Sequence, residues 1–186
     1  MESLDDLQSL LRLKAGDIGG LEALVEAHQV RAVRTAYLIT HDRGLAEEVV
    51  QTAFLRVYRS IDRFDMRRPF QPYFMRIVVN AAVQAAQRDS RLVTLDTAED
   101  WNSLLHAPVS DPQDQAEADE LRENVRQALL TLTPEQRAAV VLRYYLNLSE
   151  SEMSAWLGAP EGTIKWRLHA ARKHLRVLLD RAIKEG

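Results

Sequence analysis

The sequence has no cysteine among its 186 residues, and it contains few glycines (7), prolines (6) and aromatic side chains (6%). Without cysteine there can be no disulfide bonds or thiolate metal sites. No two histidines stand at i, i+4 together with a carboxylate, so we do not expect a zinc site. No apolar run approaches the roughly 20 residues that cross a bilayer, and the acidic N-terminus does not resemble a secretory signal. We therefore expect a cytoplasmic protein with no membrane insertion, metal or cofactor.

The sequence also lacks the signatures of catalysis. It contains no glycine-rich phosphate loop, nucleophile motif or metal-ligand constellation, so we do not expect an enzyme. Strand-like alternation is almost absent, which predicts an all-α fold. The hydrophobic content of 46% is sufficient for real cores, and the length suits one domain or two small ones.

Charge is distributed in blocks that the overall net charge of −3 conceals. Residues 1–28 carry a net charge of −4 and residues 89–120 carry −8. Residues 54–88 and 161–184 each carry +5. Two separate basic blocks indicate two separate contacts with a polyanion.

Residues 148–179 have the sequence shape of a helix-turn-helix. Ser149 and Glu152 form a predicted capping box, in which each side chain bonds an amide of the first turn. Gly158 can end this helix, and Pro160 suits the first turn of the next. The second helix of such a motif can lie in the DNA major groove.

The second helix combines an apolar stripe with a basic face. The alternative is an ordinary amphipathic helix whose basic face is solvated. The predicted stripe contains Ile164, Leu168, Ala171, Leu175 and Leu178, and the opposite side carries Gly162, Trp166, His169 and Lys173.

The rest of the chain reads as two helical blocks. The first contains predicted helices over about 3–14, 17–40, 43–62 and 70–88, with a basic loop over 63–69. Periodicity fades over 89–119, which reads as an acidic linker with a short helical turn around Trp101 to Leu105. A second helix start follows at Thr133, where Gln136 closes the capping box. We predict two small helical domains, 1–88 and 120–186, the second containing the helix-turn-helix.

Three strings in these blocks resemble the extracytoplasmic-function (ECF) sigma factors, the smallest class of bacterial RNA polymerase specificity subunits in the sigma-70 family. They are AEEVVQTAFLRVYRSIDRF (46–64), FQPYFMRIVVN (70–80) and LTPEQRAAVVLRYYLNLSESEMSAWLGAPEGTIKWRLHAARKHLR (132–176). The resemblance implies that residues 1–88 form a region 2-like domain that binds core polymerase and the −10 element. It implies that residues 120–186 form a region 4-like domain that binds the −35 element.

The resemblance also implies which residues make these contacts. Core polymerase, through the β′ coiled coil, would meet Glu47, Glu48 and Gln51, with Phe54 and Tyr58 nearby. The −10 element, read as a single strand, would meet Arg63, Phe64, Met66, Arg67, Arg68, Tyr73, Arg76 and Asn80. The −35 duplex would meet Glu161, Gly162, Thr163, Lys165, Trp166, Arg167, His169, Arg172, Lys173 and Arg176.

The chain departs from the family at several of these positions. Family members usually have Trp where Tyr73 stands, and residues 81–87 are uncharged where a basic tail is usual. We therefore expect promoter melting to depend mainly on the arginines of the basic loop. Phe70 and Phe74 are predicted to be buried, whereas the sequence leaves Tyr73 open. Trp166 stands where a small polar residue is common, and a packing role is slightly favoured over DNA contact.

The resemblance implies a sigma factor that directs core polymerase to promoters and helps to melt the −10 element. Its implied partners are the polymerase β′ coiled coil and β flap, promoter DNA and an anti-sigma factor. The acidic linker could occupy a basic polymerase channel or serve as a soluble tether. The competing function is a stand-alone helix-turn-helix regulator that binds operator DNA without polymerase.

Overall fold

A computed structural model describes the backbone of residues 2–89 and 123–185, and the side chains of residues 4–88 and 123–176. The chain divides into two compact units, Met1–Arg88 and Asp89–Gly186. Every regular element among the described residues is helical, which confirms the predicted all-α fold. The helical turn predicted around residues 101–105, and nearly all of the predicted linker, lie outside the described residues.

The first unit contains four α-helices: α1 (Glu2–Lys14), α2 (Gly19–Thr40), α3 (Arg43–Ser60) and α4 (Phe70–Asp89). They confirm the four predicted helices, whose ends differ by two residues or fewer. The predicted α3 was too long because the chain tightens into a 3-10 turn over Ile61–Arg63. The Ser60 hydroxyl donates to the Arg56 carbonyl at this end (2.8 Å).

Aromatic rings from α2, α3 and α4 form the centre of this unit. The Phe54 ring lies 4.3 Å from the Phe74 ring, and Phe70 stacks on Phe74 at 5.5 Å. Phe70 and Phe74 are buried, as the sequence predicted. Gly20 allows α1 to approach α2 closely, because a Cβ there would overlap the Ser9 carbonyl oxygen.

A buried polar pair also joins α1 to α2. The His28 Nε2 atom lies 2.7 Å from the Asp6 Oδ1 atom, and both side chains are almost fully buried. The His28 ring also lies against the Phe70 ring, with 5.2 Å between centroids. The pair therefore connects α1 to the aromatic core beneath the start of α4.

The second unit is built from shorter helices and one long one. Residues 123–130 are helical (α5). They are followed by α6 (Pro134–Val140), α7 (Glu150–Leu157) and α8 (Glu161–Glu185). Both predicted capping boxes are present, Thr133 with Gln136 on α6 and Ser149 with Glu152 on α7.

The sequence did not predict the end of α6, which widens into a π-helical turn over Val141–Tyr145. There the Leu146 amide donates to the Val141 carbonyl (3.0 Å), five residues back. The turn buries Leu142 and leaves Tyr144 on the surface.

The core of the second unit lies between α6, α7 and α8. Met153 of α7 is fully buried, as are Ile164, Leu168 and Ala171 of the predicted stripe of α8. Leu175 is half-buried, and the Leu178 side chain lies outside the described residues. Burial lowers the pKa of Arg137 to about 10, so this side chain stays charged at neutral pH while donating to the Leu132 carbonyl.

Candidate polymerase and nucleic-acid interfaces

The α3 helix presents a polar side that includes three of the five residues predicted to contact polymerase. Glu48 and Gln51 are exposed, and the half-buried Glu47 accepts from Arg43 Nε at 3.0 Å. Tyr58 is also exposed, at 47%. Phe54 differs from these four because it is only 6% exposed and packs on Phe74. Phe54 thus lies in the core beneath this polar side, and its expected place near the polymerase contact stays a prediction.

A groove between α2 and α3 runs beside this polar side and has a volume of about 480 Å³. Phe54 and Val50 lie at its floor, and Leu55, half exposed, lies at its edge. The α2 side chains that complete it were not predicted as site residues. These side chains are Leu21, Val25, Gln29 and Val33. Their spacing of four residues, which places them on one face of α2, is the sequence feature that could have indicated the groove.

The basic loop (residues 63–69) is held in a turn by Asp65. The Asp65 Oδ1 atom accepts from the Arg67 amide (3.1 Å), and Asp65 Oδ2 lies 3.6 Å from Arg68 Nε. The side chains of Arg63, Arg67 and Arg68 are exposed. The loop therefore presents three guanidinium groups to solvent from a backbone fixed by one carboxylate.

Aromatic side chains line the same end of the unit. Phe64 is half-buried, 4.8 Å from the Tyr73 ring and 6.2 Å from the Phe70 ring. Tyr73, left open by the sequence, is also half-buried. Met66 is half-buried and lines a groove with α1 residues Leu4, Leu7 and Leu10, a neighbourhood that sequence reasoning missed.

Along α4 the predicted contacts are less available. Arg76 is exposed, but the Asn80 side-chain amide donates to the Arg76 carbonyl one turn back (2.8 Å). Asn80 is therefore engaged by its own helix. The exposed cations among the predicted −10 contacts are therefore Arg63, Arg67, Arg68 and Arg76.

In the second unit, Gly158 makes the turn of the helix-turn-helix. Its φ of +62° lies in the left-handed region, and its amide donates to the Ser154 carbonyl, which confirms the predicted end of α7. The Ser154 hydroxyl donates to the Ala159 carbonyl (2.7 Å) and fixes the exit of the turn. Pro160 follows, and its carbonyl accepts from Thr163 and Ile164 as α8 begins.

The α8 helix exposes most of the predicted −35 contacts on the side opposite its buried stripe. Thr163 and Arg167 are half-buried. A Cβ placed on Gly162 would meet no atom within 4 Å, so the surrounding protein does not require glycine there. The exposed members are Glu161, Gly162, Lys165, Trp166, His169, Arg172, Lys173 and Arg176.

Two further details describe this face, and the first of them was not predicted. Lys165 Nζ lies 3.6 Å from Glu150 Oε2 on α7, an exposed ion pair across the helix-turn-helix. Trp166 is 64% exposed. The packing role that the sequence slightly favoured for Trp166 stays a prediction, because the linker, one of its two expected packing partners, lies outside the described residues.

The comparisons with known proteins match both units. The Sigma-70 region 2 family model matches residues 24–92, and the Sigma-70 region 4 model matches residues 122–175. The ECF RNA polymerase sigma-E factor of Escherichia coli K12 is 30% identical over 180 residues, which cover 92% of this chain and 93% of that protein. The chain belongs to the ECF sigma factor family.

A second relative of this sigma factor is SigW of Bacillus subtilis, an ECF RNA polymerase sigma factor that is 29% identical over 89% of this chain and 91% of its own length. Among solved structures, CnrH in complex with the cytosolic domain of CnrY shares the fold (TM-score 0.65, 24% identity) and covers 95% of this chain and 98% of that one. RpoE of Bartonella quintana, in complex with the anti-sigma factor NepR, matches with a TM-score of 0.57 and 25% identity, covering 81% and 91%.

The sigma-factor function implied by the sequence is thus confirmed, and the stand-alone regulator is not favoured. Within residues 2–89 and 123–185, none of the helices combines the length and apolar character that a bilayer crossing needs.

Proposed function

We propose that this sigma factor binds core polymerase through α3, opens the −10 element with its basic loop and grips the −35 duplex with α8. The observation that carries the proposal is the presence of two exposed basic segments on two separately packed helical units, each matching a different sigma region. In this assignment residues 1–88 and 120–186 are the two domains, and residues 89–119 link them. The protein works with polymerase in the cytoplasm and carries no catalytic role of its own.

The polar side of α3 is the proposed contact with the β′ coiled coil. Exposed carboxylate and amide groups at Glu48 and Gln51 suit a basic, hydrogen-bonding partner helix. The adjacent groove offers apolar area at Leu55. We expect Glu48→Arg to weaken co-elution with core polymerase at least tenfold, because a like charge would face the basic partner. Glu26→Arg, on an exposed part of α2, is the matched control and should bind normally.

The basic loop is the proposed reader of the melted −10 strand. Single-stranded recognition combines cations along the backbone with rings on which bases stack. Arg67 and Arg68 supply exposed cations, and Phe64 and Tyr73 supply partly exposed rings beside them. The weakly charged second half of α4 contributes less, because Asn80 bonds its own helix.

A promoter-opening assay tests this assignment. The double variant Arg67→Ala/Arg68→Ala should reduce open-complex formation by about a hundredfold, since each charged hydrogen bond is worth roughly 1.5 kcal/mol and two are lost. Arg88→Ala, at the far end of α4, removes an exposed arginine from the same unit and should open promoters normally. Unchanged opening by the double variant would contradict the role of the loop.

The exposed face of α8 is the proposed −35 reader. Gly162, Lys165 and His169 lie in its first turns, where side chains reach base edges in the major groove. Arg172, Lys173 and Arg176 lie further along and suit phosphates. The β flap is the proposed polymerase contact of this second unit.

An anti-sigma factor is the remaining proposed partner. The RpoE structure that this chain resembles is a complex with the anti-sigma factor NepR. An inhibitor that covered α3 would compete with core polymerase. A purified inhibitor of this kind should therefore release core polymerase from the wild-type chain.

A further inference from the structure

Trp166 is an aromatic side chain placed where water covers most of it. Its exposure of 64% contrasts with the full burial of Ile164 and Leu168 on the same helix. Tryptophan is highly buried on average, and burying its large apolar surface is worth several kcal/mol. An indole this exposed gains free energy when an external surface covers it.

The buried stripe of α8 fixes the direction in which Trp166 faces. Because Ile164, Leu168 and Ala171 have no exposed area, the helix cannot turn on its axis without breaking the core. Trp166 therefore stays on the face opposite that core, one turn from Gly162 and from His169, which are both exposed. This is the side of the recognition helix that faces the groove in the proposed −35 complex.

The charges around Trp166 favour a nucleic acid over a protein partner. Lys165 is an immediate neighbour, and its exposed pair with Glu150 is worth less than about 1 kcal/mol, so DNA can displace it. Arg172, Lys173 and Arg176 extend the cationic surface along the same helix. An apolar side chain within a cationic face suits a DNA groove, which has phosphates along its edges and apolar groups on the bases within it.

The chemistry of the indole indicates which group on the DNA it contacts. Its ring nitrogen is a donor, and the side chain has no acceptor, so its large ring surface must meet an apolar group. In the major groove the base edges offer one such group, the C5-methyl of thymine. Resting on the proposed −35 function, we infer that Trp166 is a specificity-determining residue that selects thymine by covering its methyl group.

A phosphate contact through the indole N–H is the competing role, and it would not depend on the base. Deoxyuridine separates the two roles, because it differs from thymidine only by the missing methyl group. Burial of one methyl is worth about 0.8 kcal/mol, and 1.4 kcal/mol corresponds to tenfold, so the expected loss is about fourfold for each covered methyl.

The experiment uses the full chain assembled with core polymerase. Duplexes randomised upstream of the start site are selected for binding, and each thymine of the enriched −35 motif is then replaced by deoxyuridine. We expect wild type to lose about fourfold in affinity at one thymine or more. Trp166→Ala should bind the thymine and deoxyuridine forms equally at that position. Arg176→Ala is the matched control and should lower affinity for both forms while keeping their ratio.

Each outcome decides the question. An enriched motif without thymine, a wild type that is indifferent to every substitution, or a Trp166→Ala variant that keeps the fourfold ratio would overturn the inference. In these cases a lower duplex affinity of Arg176→Ala would still support the −35 role of α8. If no assembly with polymerase forms, or no motif is enriched, the proposed function itself fails.

Discussion

Replacing Gly162 by alanine separates the stability of α8 from its binding to DNA. Gly162 is exposed, and a Cβ there would meet no protein atom within 4 Å. Alanine is a better helix former than glycine by up to about 1 kcal/mol in a helix interior. Because Gly162 lies in the first turn of α8, we expect a gain of about 0.5 kcal/mol in the free energy of unfolding.

The effect on duplex binding should have the opposite sign. If the backbone at Gly162 approaches the DNA closely, an added methyl group must push the helix away from the DNA. One hydrogen bond between them, worth about 1 kcal/mol, is then lost. Affinity for −35 duplex should then fall about fivefold. Intrinsic fluorescence measures the stability in urea, since the three tryptophans are residues 101, 156 and 166 and none lies in the first unit.

Gly158→Ala is the matched control. A Cβ at Gly158 would also meet nothing within 4 Å, but its φ of +62° makes alanine strained by about 1 kcal/mol. We therefore expect Gly158→Ala to destabilise the second unit and Gly162→Ala to stabilise it. A Gly162→Ala chain that is more stable and binds duplex as tightly as wild type would refute the close approach.

Three further predictions follow from single contacts. Lys165→Ala should lower the slope of log affinity against log salt by about one, because one cation no longer meets the DNA. The stability change should stay under about 1 kcal/mol, since the pair with Glu150 is exposed. An unchanged slope in salt titrations would argue against direct contact between Lys165 and DNA. His28→Ala should destabilise the first unit by about 3 kcal/mol, since it leaves the Asp6 carboxylate buried without its partner. Far-ultraviolet circular dichroism in urea measures this, and an unchanged unfolding midpoint would show that the pair does not stabilise the unit. Capping hydrogen bonds from Ser149 lower the pKa of Glu152 below its ordinary 4.5, so the charged form stabilises the fold above that pH and the contribution disappears as pH falls through the lowered pKa. Glu152→Gln should therefore make the urea midpoint depend less on pH between pH 5 and pH 3. A variant whose midpoint changes with pH as much as that of wild type would contradict this.

The local structure of this sigma factor is largely encoded in short sequence patterns. The capping boxes that begin at Thr133 and Ser149 and the stop at Gly158 each depend on residues within a few positions of one another, and all three are present. The apolar stripe of α8 was predictable for the same reason, since its helical spacing alone defines a face.

Contacts between distant segments were not predictable in this way. Asp6 and His28 are 22 residues apart, and no periodic pattern links them. Phe54 occupies a helix position compatible with either surface or core, and only the position of Phe74 on α4 decides for the core. The exposure of Trp166 depends on what surrounds it in space, and the sequence alone did not decide between packing and DNA contact.

This chain is proposed to give core polymerase its promoter specificity. Run-off transcription with purified core polymerase on a genomic library tests it directly. We expect transcripts that begin at discrete sites and require the chain, with a shared −35 motif and −10 motif upstream of each start. Core polymerase that produces the same transcripts with and without the chain would contradict it.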